Sequence, residues 1–111
     1  MNTNKLPVAL FNGAIATTNG VYRICDIDVD DARRLVKDCP TISAIGHEAT
    51  VEVMTQLLGV EVPFNRIQFK QEVTQIAIVL KLNERPVEGV VLSREQIEKV
   101  GYCLKLMERL E

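Results

Sequence analysis

Gln75-Ile76-Ala77-Ile78-Val79-Leu80-Lys81-Leu82 is the stretch that decides the fold. Its apolar residues run almost unbroken, and three of them, Ile76, Ile78 and Val79, are β-branched, which suits a pleated and buried surface. The run is followed by the loop-forming segment Asn83-Glu84-Arg85-Pro86-Val87-Glu88-Gly89. A short apolar run bounded in this way reads as a strand covered on both faces, and so as a central member of a sheet.

Upstream, Arg66-Ile67-Gln68-Phe69-Lys70 alternates and predicts another strand after the connection at Pro63. Before that, Gly46 and His47 open a helix in which Val51, Met54, Leu57 and Leu58 recur at helical spacing, with Gly59 as its stop. Thr41 to Ile45 is a short extended run. Asp28 has the form of an N-cap for a helix through Ala32, Leu35 and Val36 that ends at Pro40. Val21 to Ile27, after the turn pair Asn19-Gly20, alternates as a half-exposed strand, and Leu6 to Phe11 reads as a short buried strand ended by Asn12-Gly13. Downstream, Ser93-Arg94-Glu95-Gln96 has the form of a capping box at the start of a short helix. Tyr102 to Met107 alternates and reads as a strand, with a helix as the competing reading. The expected architecture is α/β: a mixed β-sheet flanked by α-helices, in a single compact domain over residues 1–111.

Composition narrows the function classes. The 111 residues include 13 basic and 15 acidic side chains, for a net charge of −2. That balance argues against a broad electrostatic footprint for long nucleic acid, while leaving room for a compact anion held by a few local cations. No stretch reaches the ~20 apolar residues of a membrane span. The first residues lack the apolar core of a signal peptide, so a cytoplasmic location is expected. Cys25, Cys39 and Cys103 are far apart, form no C-x-x-C pair and have no histidine beside them, so they read as small buried hydrophobes; neither a metal site nor a cofactor is expected.

Few residues could carry chemistry. His47, the only histidine, follows Gly46 at the start of a helix, where unpaired backbone N–H groups attract anions and glycine admits a ligand close to the chain. An imidazole there suits proton transfer near neutral pH, although a surface or capping histidine with no chemical task fits the same position. Arg85 and Glu88, in the loop after the central strand, place a cation beside a carboxylate; a solvated loop ion pair is the plainer account. Arg66 adds positive charge near an expected strand start. Asn12 and Thr17 follow the first strand, where loops at strand ends often form sites.

The blocks Ser43-Ala44-Ile45-Gly46-His47-Glu48-Ala49-Thr50, Val62-Pro63-Phe64-Asn65-Arg66-Ile67 and Arg85-Pro86-Val87-Glu88-Gly89 occur in this order. With Ile97-Glu98-Lys99-Val100-Gly101-Tyr102 and the closing Glu108-Arg109-Leu110-Glu111, they resemble the YddF-like family of bacterial mobile elements, which is related to viral anti-CRISPR ring nucleases. The resemblance runs from about Leu10 to the C-terminus. It implies a homodimeric, metal-independent nuclease that holds cyclic tetra-adenylate, the messenger of type III CRISPR defence, across its two-fold axis and cuts it to linear di-adenylate. On this resemblance His47, Arg85 and Glu88 are catalytic, and Asn12, Thr17, Gly46 and Arg66 bind the ligand. Asn12-Gly13-Ala14-Ile15-Ala16-Thr17 departs from the Ser- and Asn-bearing loop of the viral members, so only Asn12 matches that loop closely. Two other classes remain open: a non-catalytic dimer that binds a cyclic oligonucleotide as a sponge or sensor, and a structural or interaction protein of a mobile element.

Overall fold

A computed structural model describes residues 7–11, 18–46, 48–83 and 93–111. The elements are β1 (Val8–Phe11), β2 (Tyr22–Ile27), α1 (Val29–Asp38), β3 (Thr41–Ser43), α2 (Glu48–Leu58), β4 (Ile76–Leu82), α3 (Arg94–Val100) and β5 (Tyr102–Arg109). The five strands form one sheet in the order β2-β5-β4-β1-β3. β1 pairs in parallel with β3 and with β4, whereas β5 runs antiparallel to both β4 and β2. Four strands therefore point one way and β5 alone points back, which makes the sheet mixed, with the expected central strand β4 at its middle.

Alternation along the strands separates two cores. Val8, Leu10, Ile78, Leu80 and Leu104 face the helices and bury against Ala32 and Val36 of α1 and Val53, Met54, Leu57 and Leu58 of α2. Ala9, Ala77, Val79 and Met107 face the other way and meet Phe11, Tyr22, Ile42 and Phe69. Small alanines at Ala9 and Ala77, which are opposite one another in the β1–β4 register, let chain from the 61–75 region approach this second face closely. The rings of Phe11 and Phe69 lie 6.0 Å apart in a tilted pair.

The helix boundaries follow from local chemistry. Asp28 accepts a hydrogen bond from the Asp31 N–H at 2.7 Å and so caps α1. Ser93 and Gln96 cap α3 reciprocally: the Gln96 N–H donates to Ser93 Oγ at 3.2 Å, and the Ser93 N–H donates to Gln96 Oε1 at 2.8 Å. Gly59 ends α2 at φ 71°, a left-handed conformation that glycine adopts without a Cβ clash, and its N–H donates to the Thr55 carbonyl at 3.0 Å. Arg33 of α1 donates through Nε to the Leu57 carbonyl at 2.8 Å, tying α1 to the last turn of α2.

Two expectations need correction. Arg66 to Lys70 forms no strand. The alternation is real, but it places Phe69 on the second sheet face while Arg66, Ile67, Gln68 and Lys70 stay exposed, and the segment crosses that face without joining a ladder. Cys25 is exposed on β2 rather than buried, because β2 is an edge strand whose inner residues are solvent-facing; Cys39 and Cys103 are half-buried, and all three are free. The tail is a strand, β5, so the helical reading of Tyr102 to Met107 is set aside. No helix among the described residues is long and apolar enough to cross a membrane.

Candidate functional site at the carboxyl ends of three parallel strands

Because β3, β1 and β4 are adjacent and parallel, their carboxyl ends lie along one edge of the sheet. Ligands of open α/β sheets bind outside that edge, where the loops that leave the strands converge. Phe11 ends β1 and is followed in sequence by Asn12. Ser43 ends β3 and leads through Ala44, Ile45 and Gly46 to His47. Leu82 ends β4 and leads through Asn83 to the segment that contains Arg85 and Glu88. The three stretches singled out in the sequence thus start from three neighbouring strands. His47, Arg85, Glu88, Asn12 and Thr17 themselves lie outside the described residues, so their side chains enter no geometry here.

Gly46 and Arg66 are described, and they are in contact. A Cβ placed on Gly46 would come within 2.9 Å of both Cβ and Cγ of Arg66 and within 3.1 Å of its Cα. Only a glycine allows Arg66 to lie so close to the connection between β3 and α2. Arg66 is exposed, and its backbone and the first atoms of its side chain lie against Gly46, two residues before the start of α2, an 11-residue helix. Ala44 and Ile45, at the start of the connection, are held by hydrogen bonds. The Ala44 N–H donates to the Leu10 carbonyl at 3.0 Å, continuing the β1–β3 ladder, and the Ile45 N–H reaches Ser43 Oγ at 3.4 Å.

Asn65 was not expected to matter, and the structure gives it the main part in this arrangement. Its backbone N–H donates to the Ile45 carbonyl at 2.9 Å, and its side-chain Nδ2 donates to the Ser43 carbonyl at 2.7 Å. The sequence carries one signal for this: Asn65 stands two residues after Pro63 in a segment of weak periodicity, where asparagine commonly satisfies backbone groups instead of packing.

Elsewhere the surface is less suited to an anion. A groove between α1 and the β2–β5 end of the sheet is lined by Asp26, Asp28, Asp31 and Asp38, among other residues. Its one arginine, Arg34, lies 3.5 Å from the Asp31 carboxylate. That lining repels a polyanion. Among the described residues no group of three His, Cys, Asp or Glu side chains is placed to hold a metal ion.

Comparison with known proteins shows the family and the fold. Residues 8–104 match the STIV B116-like family. The chain belongs to that family. It is 32% identical over 108 residues to Uncharacterized protein YddF of Bacillus subtilis strain 168, covering 96% of this chain and all of that one. It is 34% identical over 84 residues to Uncharacterized protein 26 of a Sulfolobus islandicus filamentous virus, covering 75% of this chain and 71% of the viral one. B116 of Sulfolobus turreted icosahedral virus has the same fold, with a TM-score of 0.75 and 24% identity over 93% of this chain and 99% of B116. The match to YddF agrees with the resemblance drawn from the sequence blocks, and the family also takes in viral proteins.

Proposed function

We propose that this member of the STIV B116-like family is a metal-independent ring nuclease, which binds cyclic tetra-adenylate as a homodimer and cuts it to linear di-adenylate, thereby antagonising type III CRISPR signalling. The observation that carries the reading is the convergence of strand ends: the segments holding Asn12, His47 and the Arg85–Glu88 pair leave three adjacent parallel strands at one sheet edge. The contact between Gly46 and Arg66 adds a cation at the same edge. The relation to viral ring nucleases, implied by the sequence blocks, supplies the substrate.

The chemistry needs no external nucleophile. A ribose 2′-oxygen attacks the adjacent phosphorus in line and loses its proton to solvent. The P–O5′ bond breaks, and a 2′,3′-cyclic phosphate forms. His47, as imidazolium, donates a proton to the departing 5′-oxygen. Arg85 and the amides at the start of α2 stabilise charge on the phosphorane, while Glu88 orients the arginine or the hydroxyl. On the resemblance, Arg66, Asn12 and Thr17 bind neighbouring phosphate or ribose groups. Two copies related by a two-fold axis present two His47 side chains to a symmetric ring, so two cuts yield two dinucleotides.

The test is incubation of the protein with labelled cyclic tetra-adenylate in EDTA. Cleavage to di-adenylate bearing a cyclic phosphate is expected, and His47→Ala should slow it by at least about a hundredfold, the usual range for loss of a general acid. Binding without cleavage would make the protein a sponge or sensor instead. Neither binding nor cleavage would leave a structural or interaction role.

A further inference from the structure

We infer that Asn65 is a positioning residue of this site and acts through Arg66. The inference rests on the nucleotide reading above. Asn65, the residue before Arg66, makes three hydrogen bonds, the last of which spans Arg66. The Asn65 N–H donates to the Ile45 carbonyl at 2.9 Å, Asn65 Nδ2 donates to the Ser43 carbonyl at 2.7 Å, and the Ile67 N–H donates to the Asn65 carbonyl at 3.1 Å. The residues that supply the first two acceptors, Ile45 and Ser43, are buried, so they form a fixed support.

The side chains that pack this segment, Val62 and Phe69, are three residues before Asn65 and three after Arg66. Phe64 and Ile67, on either side of the pair, are 53% and 43% exposed, and Arg66 is exposed as well. The hydrogen bonds of Asn65 therefore set where the Arg66 backbone lies, and the bare Gly46 backbone lets it lie close. Residue type matters at position 65. Serine is too short to reach the Ser43 carbonyl by the same route, and alanine has no donor, so each leaves that buried carbonyl short of a partner. With either, the chain around Arg66 gains freedom, and the guanidinium must be ordered again each time a ligand binds.

A double-mutant cycle on the full chain tests this, with cyclic tetra-adenylate as probe and neutral variants so that added charge does not repel the ligand. Asn65→Ser is expected to raise KM about three- to tenfold, the usual net worth of one hydrogen bond expressed as affinity, with kcat nearly unchanged. In the Arg66→Ala background the same change should have no further effect. Asn65→Ala serves as the second variant, and thermal unfolding of each confirms a folded sample. The inference is overturned if the two substitutions multiply, if Asn65→Ser lowers kcat at constant KM, or if it matches the parent. In all three cases the parent still turns the ring over. A parent that neither binds nor cuts the ring overturns the nucleotide reading, and this inference with it.

Discussion

At Gly46 a single methyl group decides whether the β3–α2 connection and Arg66 can share space. The atoms that an added Cβ would meet are the Cα, Cβ and Cγ of Arg66, not the free end of its side chain, so rotation of the arginine does not relieve the clash. Gly46→Ala is expected to destabilise the fold by about 1–3 kcal/mol, the range for inserting a methyl into tight packing, measured as a lower urea midpoint. It should also weaken binding of cyclic tetra-adenylate, because the clash moves Arg66 away from the edge. Gly59 differs in kind: an added Cβ would meet only Arg33 Nε, at an ordinary contact distance of 3.9 Å, but the residue sits at φ 71°. Gly59→Ala should cost about 1 kcal/mol through backbone strain alone and leave ligand binding untouched.

The elements show which local rules were enough to place them. Ser93→Ala removes the hydroxyl that accepts the Gln96 N–H and should cost about 1 kcal/mol, seen as fraying of α3 in amide exchange. Between β2 and β5, Lys105 is paired with Asp26 opposite it in the register. The hydrogen bond and charge of Asp26 hold the Lys105 ammonium above its ordinary 10.5. A lysine raised in this way lends its stabilisation in full below the unfolded value and loses it as pH climbs through the folded one. Lys105→Met should therefore differ slightly from the parent at pH 7, and the difference should shrink as pH climbs through the raised Lys105 value. The caps at Asp28 and Ser93, the glycine stop at 59 and the apolar run of β4 were all legible in the sequence, because each is decided within a few residues. Arg66 to Lys70 was misread because alternation reports only that one side faces a core. A strand also needs a free edge to pair with, and that depends on distant residues. The part played by Asn65 was hidden for the same reason: its partners, Ser43 and Ile45, lie about twenty residues earlier.

At the scale of the molecule, a net charge of −2 and an aspartate-lined groove between α1 and the β2–β5 end of the sheet leave the β1–β3–β4 edge as the place where positive charge from Arg66, and in sequence from Arg85, can collect. On the proposed function, a symmetric pair doubles the cations offered to a four-phosphate ring. Sedimentation of the active species should then give about twice 12.4 kDa, and full turnover by a 12.4 kDa species would count against the paired arrangement. The order β2-β5-β4-β1-β3 has another outcome, concerned with synthesis and not with ligand. β2 is among the first of the described strands to leave the ribosome, yet its neighbour in the sheet, among the described residues, is β5, the last of them to be made. Until β5 emerges, Tyr22 to Ile27 has no strand to pair with among the described residues, while β1, β3 and β4 can already assemble against α2. The nascent chain should pass through a stage in which a three-stranded core is protected from protease and the region around β2 is still cut, with closure in a single late step.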